Sequence, residues 1–123
     1  MDFALAEHTD GYHIQAFEPG LVRINERDFT RNLVLTPTQL LEDWSASMVE
    51  RLVPADFEAL LELQPDILLL GTGTRQIFPP AACYAALLQR RIGIEIMDTA
   101  AACRTYNILA AEDRRVAAAL LLR

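Results

Sequence analysis

Lysine is absent, and all eleven basic side chains are arginine. That excludes a Schiff-base lysine and the lysine of a phosphate-binding loop. Histidine is confined to His8 and His13 near the start of the chain. With no Ser-centred nucleophile elbow either, a nucleophile paired with a base is not visible, and the two histidines read as surface residues. Cysteine is limited to Cys83 and Cys103. Two cysteines build neither a disulfide framework nor a four-ligand zinc centre. Both stand in Ala-rich stretches, where a free cysteine serves as a small buried hydrophobe. No metal and no cofactor are expected. The apolar runs fall far short of the ~20 residues that a membrane helix needs. Met1 to Asp10 carries Asp2, Glu7 and Asp10 where a signal peptide would have a basic start and an apolar centre. A cytoplasmic chain without a transmembrane segment is the expectation.

What is present argues for a compact core. The 123 residues correspond to one domain, and a chain of that size buries roughly two-thirds of its unfolded surface. Apolar residues make up 52%, which opposes disorder. The net charge is −6 with a pI near 4.8, so the chain repels phosphate backbones and nucleic acid is not an expected partner.

Residues 1–10 read as a loose lead-in. Residues 11–44 read as an antiparallel meander, and 45–123 as an α/β core. In the meander, Tyr12–Phe17, Leu21–Ile24 and Asn32–Leu35 are strand-like, separated by the turn signals Glu18-Pro19-Gly20 and Asn25-Glu26-Arg27-Asp28. Leu40–Trp44 reads either as a short strand or as an irregular crossing that buries Trp44. Pro54 suits the first position of a helix carrying Phe57, Leu60 and Leu61, stopped by Gln64-Pro65. Asp66–Leu70 has the continuous apolar character of a strand buried on both faces. Pro80–Arg91 predicts a helix released at Gly93, and Ile94–Met97 the next parallel strand. Asp98 or Thr99 can cap a helix from Ala100 to about Glu112. For Arg114–Leu122, propensity favours helix, whereas length and position allow a buried strand.

Gly71-Thr72-Gly73-Thr74 follows a buried strand, the position of phosphate-binding loops, and Asp98 ends the next strand where a ribose-binding acid would stand. Against this, Gln76 replaces the third glycine and Pro79-Pro80 precede the helix, so a tight turn is the simpler reading. Asp66, Asp98, Glu112 and Asp113 show no acid–base pair spacing and read as caps and ion pairs. No catalytic residue is assigned. Cys103-Arg104-Thr105-Tyr106-Asn107 forms the densest polar cluster, with Arg104 and Asn107 on one helical face. It reads as a solvated face, a recognition surface or an internal polar clamp.

Leu68-Leu69-Leu70-Gly71-Thr72-Gly73, Met97-Asp98-Thr99, Ala102 to Leu109 and Ala111 to Leu120 together resemble one family. It is the small domain-of-unknown-function family that includes the mitochondrial respiratory complex I assembly factor three. The similarity runs from the Tyr12 strand onwards and is most specific after Pro54; lacking a mitochondrial leader, the chain looks like a bacterial member. The resemblance implies an α/β fold of three layers, with a mixed central β-sheet flanked by helices, an N-terminal antiparallel strand meander and a final antiparallel strand over Arg114–Leu122. Relatives often carry Gly where this chain has Asp113, which implies a helix end there. The family offers no established catalytic residues, and its eukaryotic branch works by protein–protein contact during assembly of a membrane complex.

A non-enzymatic protein-binding or assembly module is therefore expected, with homo-oligomerisation left open. Its candidate surface comprises Gly71, Thr72, Gly73, Asp98, Thr99, Arg104, Asn107, Glu112 and Arg114. The alternative is a small-molecule or nucleotide-binding protein using the Gly71–Thr74 loop, with an enzymatic role left open.

Overall fold

The computed structural model describes residues 11–123; the expected lead-in and His8 lie outside the described residues. The chain first makes a three-stranded antiparallel sheet from β1 (Ile14–Glu18), β2 (Leu21–Ile24) and β3 (Arg27–Phe29). Pro19-Gly20 turns β1 into β2, with Gly20 at φ 87°. The next turn is tighter than the sequence suggests. Only Asn25 (φ 48°) and Glu26 (φ 73°) form it, the two positive φ values of a type I′ hairpin, so Arg27 and Asp28 enter β3 and pair with Ile24 and Arg23.

The expected third meander strand leaves that sheet. It is β4 (Leu33–Leu35), and with β5 (Leu40–Leu41) it joins β6 (Ile67–Thr72), β7 (Gly93–Met97) and β8 (Val116–Leu121) in a five-stranded sheet ordered β5-β4-β8-β6-β7. Stretch 11–44 thus divides between two sheets. All three residues of β4 are buried, a pattern that belongs to a sheet covered on both faces rather than to a half-solvated meander.

Arg114–Leu122 does hold the last strand. It runs antiparallel to β4 but parallel to β6, so the expectation of antiparallel neighbours holds on one side only. The reason is the preceding helix, α3 (Thr99–Ala111). Its 13 residues return the chain by about 20 Å, the span of a six-residue strand, and β8 must then start level with β6.

Two shorter helices cover the other face. α1 (Pro54–Glu58) is followed by a 3-10 turn at Leu61–Leu63, and α2 (Ala85–Gln89) is preceded by one at Ala81–Tyr84. The helix expected over Pro80–Arg91 is broken where Tyr84 stands edge-on to Phe57, at 6.2 Å between centroids. Arg91, at φ 62°, releases α2 in place of Gly93, which already belongs to β7.

The period of two along the central strands sorts the core. Leu68, Leu70, Ala117, Ala119 and Leu121 face α1 and α2, together with Trp44, Phe57 and Leu87. Leu69, Val116, Ala118 and Leu120 face α3 and the small sheet, together with Ala102, Tyr106, Val22 and Ile24. Helices, central sheet, and α3 with the three-stranded sheet make the three layers. The alanines of β8 are fully buried, and Ala102 of α3 packs on their side with no exposure. Small side chains here let the layers approach closely. Trp44 is buried, and its Nε1 donates to the Asp56 carbonyl at 3.0 Å.

Candidate functional site

Gly71 and Thr72 end β6, and Gly73 turns the chain away from the sheet. Thr99, the first residue of α3, is fully buried against them. Its N–H donates to the Gly73 carbonyl at 2.9 Å, while its hydroxyl accepts from the Gly73 N–H at 2.7 Å and donates to the Leu121 carbonyl at 2.6 Å. One side chain thus ties the ends of β6, α3 and β8. The glycines serve this closeness. A Cβ at Gly71 would lie 2.8 Å from the Thr99 hydroxyl, and one at Gly73, where φ is 95°, would lie 2.5 Å from the Arg123 carbonyl oxygen.

The side chains of Thr72, Asp98 and Thr99 and the N–H of Gly73 all have internal tasks. Thr72 Oγ1 accepts from the Ile77 N–H at 3.2 Å and faces the carbonyls of Arg75 and Met97. Asp98 is the N-cap of α3, its Oδ1 accepting from the Ala101 N–H at 2.8 Å. Gly71, Thr72, Gly73 and Thr99 are buried and form a frame; the loop Thr74–Gln76 that follows is exposed, as is Phe78, next to the Thr72-bonded Ile77. Phe78 is 64% exposed, more than any other large apolar side chain described.

Further along α3, the polar cluster separates by helical phase. Tyr106 points inward with no exposure, and its hydroxyl donates to the Tyr12 carbonyl at 2.8 Å. Asn107 meets β1 along its open edge. Its Oδ1 accepts from the Ile14 N–H at 3.0 Å and its Nδ2 donates to the Ile14 carbonyl at 2.7 Å. The amide acts as one residue of an adjoining strand, so Asn107 is a clamp between α3 and the small sheet. Arg104 lies on the outer face and is exposed, without an ion pair among the described residues. Burial pushes the Cys103 thiol up to about 12, with Arg104 pulling the other way, and burial raises the Tyr106 phenol above its ordinary range. Neither is poised as a nucleophile or base near neutral pH.

Glu112 and Arg114 stand at the far end of α3 and are exposed. Asp113 takes φ 61°; its N–H reaches the Ala110 carbonyl, and that of Arg114 reaches the Leu109 carbonyl, both at 3.1 Å. This is a Schellman helix end with Asp in the left-handed position usually held by Gly. The nine candidate residues therefore do not form one surface. Gly71, Thr72, Gly73, Asp98 and Thr99 gather at one end of the sheet, Arg104 is exposed on the outer face of α3, Asn107 is a clamp midway, and Glu112 and Arg114 lie at the other end, about 20 Å away along the helix.

That second end holds a groove of about 1280 Å³ lined by Tyr12, Thr36, Thr38, Arg114 and Arg115, among others. A smaller hollow of about 410 Å³ is lined by Asn32, Trp44 and Arg123 among its residues. Gly71 and Asp98 line neither. Sequence reading missed three polar residues that matter to the frame. Asn32 accepts from the Leu122 N–H and donates to the carbonyls of Ala46 and Ser47. Asn25 is bonded to His13 and Gly11. Asp56, buried, accepts from Ser45 and from the Val53 N–H. Asn25 had a local signal as part of a turn, and Asp56 in its place three residues after the helix N-cap; Asn32 had none.

A family model described as a protein of unknown function (DUF498/DUF598) matches residues 14–121. The chain belongs to this family. It is similar to NADH dehydrogenase [ubiquinone] 1 alpha subcomplex assembly factor 3 of Rattus norvegicus, at 33% identity over 122 residues, covering 98% of this chain but 63% of that protein. It is also 27% identical over 99 residues to the 13 kDa major membrane protein of Francisella tularensis, covering 80% of each. The solved NMR structure of a Xanthomonas campestris protein aligns with a TM-score of 0.82 at 43% identity, covering 90% of this chain and 84% of that one. The family membership read from the motifs after Pro54 and the mixed α/β architecture are both borne out. Among the described residues no helix is long and apolar enough to cross a membrane.

Proposed function

We propose that this chain is a non-enzymatic, cytoplasmic protein-binding module that assists assembly of a larger complex. The similarity to assembly factor 3 supports this reading, although the chain spans less than two-thirds of that relative's length. The observation that carries it is the contrast at the end of the sheet. The side chains of Thr72, Asp98 and Thr99 and the N–H of Gly73 are spent on holding the frame, while Phe78, next in the chain to the Thr72-bonded Ile77, is 64% exposed. An exposed aromatic on a rigid, self-satisfied frame fits a protein contact better than a cradle for a polar ligand. The contact surface runs over Arg75 and Phe78 to Asp98 and Arg104, with Gly71, Thr72, Gly73 and Thr99 supporting it from beneath.

The test is affinity purification with mass spectrometry from native cells, using wild type, Phe78→Asp and Arg104→Ala. A protein recovered with wild type and lost with Phe78→Asp is the expected result. Recovery of the same proteins with all three baits would refute this surface, and recovery of none above bare resin would refute the module.

A further inference from the structure

The groove at the opposite end of the sheet has features that the protein-contact reading leaves unused. It opens where β6 and β8 begin, between the β2–β3 turn, the β4–β5 connection and the end of α3. Among the described residues, five other than glycine have positive φ: Asn25, Glu26, Gln64, Arg91 and Asp113. Asn25, Glu26 and Asp113 line this groove, and Gln64 sits between Leu63 and Pro65, which also line it. Left-handed backbone at non-glycine residues is costly and persists where the surroundings hold it. Here the holding bonds are explicit. Asn25 Oδ1 accepts from the His13 N–H at 2.8 Å, the Gln15 side chain brackets Glu26, and Asp113 closes the Schellman turn.

The consequence is a fixed placement of charge. The left-handed turn at Asp113 delivers Arg114 and Arg115 in succession to the groove wall. Arg115 is steadied there by Nη2 donating to the Gln64 carbonyl at 2.8 Å, which leaves the rest of its guanidinium fork for another acceptor. Thr38 contributes a hydroxyl to the same groove and Glu26 and Asp113 contribute carboxylates, while the Thr36 hydroxyl oxygen is engaged by the Thr38 and Gln39 N–H groups at 3.2 and 3.0 Å. Both signs are therefore represented, with Glu26 already engaged by Gln15 at 3.2 Å.

We propose that this groove binds a carboxylate. Arg114 and Arg115 take the carboxylate, and the exposed Thr38 hydroxyl lines the same groove. An acidic peptide segment and a free small dicarboxylic acid share this chemistry. The inference is independent of the protein contact at the Phe78 end, since α3 separates the two sites.

The experiment is NMR titration of the full, isotopically labelled chain with succinate, a capped acidic tetrapeptide, the diamide of succinate and inorganic phosphate. Succinate or the peptide is expected to move the amides of Gln64, Arg114, Arg115, Thr36 and Thr38, and the diamide is not. Arg114→Gln and Arg115→Gln should each weaken binding by about ten-fold, the loss expected for one charge-assisted contact. Arg104→Gln, on the outer face of α3, should leave it unchanged. Tighter binding of the peptide assigns the groove to a chain segment, and tighter binding of succinate assigns it to a free acid. Three results overturn the proposal: no movement at millimolar carboxylate, binding in both arginine variants as tight as in wild type, or phosphate binding as tightly as either carboxylate, which would make the groove a general anion trap.

Discussion

Thr99 and Gly73 are bonded to each other in both directions, amide to carbonyl at 2.9 Å and amide to hydroxyl at 2.7 Å. With the hydroxyl passing its own proton to Leu121 at 2.6 Å, this pair closes the end of the sheet. Thr99→Val keeps the shape and removes the hydroxyl, leaving the Gly73 N–H and the Leu121 carbonyl buried and unpaired. We expect a loss of about 2–4 kcal/mol in urea unfolding, against about 1 kcal/mol for Thr99→Ser. Equal losses in the two variants would show that packing, and not the hydroxyl, holds the clasp.

Gly71 makes the same contact testable from the other side. Alanine there puts a methyl 2.8 Å from the Thr99 hydroxyl, and overpacking of this kind costs about 1–3 kcal/mol. Gly93→Ala is the control, because its nearest neighbours lie 3.7 Å and 3.9 Å away. Its unfolding midpoint should stay near wild type.

Asn107 should govern how firmly β1 is held. Asn107→Asp retains an acceptor for the Ile14 N–H but has no donor for the Ile14 carbonyl. We expect a loss of about 1–3 kcal/mol. Hydrogen exchange should quicken at Phe17 and Ile24 of the small sheet before it does at Leu69 of the central one. A uniform acceleration across both sheets would contradict the clamp.

Asp113→Gly should stabilise the chain. The residue is at φ 61° in a Schellman turn, where glycine avoids the Cβ strain that Asp bears. The expected gain is about 0.5–1 kcal/mol, read as a rise in the thermal midpoint.

Alkaline pH should unfold this protein through its buried acids. Burial raises the Cys103 thiol to about 12, against the pull of Arg104, and raises the Tyr106 phenol in the same direction. A folded pKa above the unfolded one means that the contribution is complete below the unfolded value and is lost as pH climbs towards the folded one. For the thiol that window runs from about 8.5 in the unfolded chain to about 12 in the folded one. Urea midpoints should therefore fall across this range, and fall less steeply in Cys103→Ala, with Tyr106 still contributing at the upper end. Parallel slopes for wild type and variant would exclude the thiol as a cause.

Much of the central layer is legible in the residues themselves. Leu68-Leu69-Leu70 has no polar interruption and is buried on both faces, as a parallel central strand requires. Asp98 before an Ala-rich stretch marks the start of α3, and it is the N-cap. The site is less legible. Gly71-Thr72-Gly73 has the local look of an anion loop, but whether its N–H groups are free depends on Thr99 and Leu121, which are far away in sequence. Asn107 and Arg104 share a helical face, yet one grips β1 and the other meets solvent, because only one lies beneath the small sheet.

By itself, then, the sequence determined most kinds of element, though not that of Arg114–Leu122, together with the buried strand after Asp66, the Asp98 cap and the chemistry that lysine, histidine and cysteine scarcity rules out. These follow from local propensity and from hydrophobic period, which act over a few residues. Tertiary structure alone decided that Leu33–Leu35 leaves the meander for the large sheet, that β8 runs with β6 and against β4, and that the glycine loop is closed while a groove opens beside Arg114. Those outcomes rest on pairings such as Asn32 with Leu122 and Asn107 with Ile14, 90 and 93 residues apart. No local pattern records such pairings, because their energy exists only once the layers have packed.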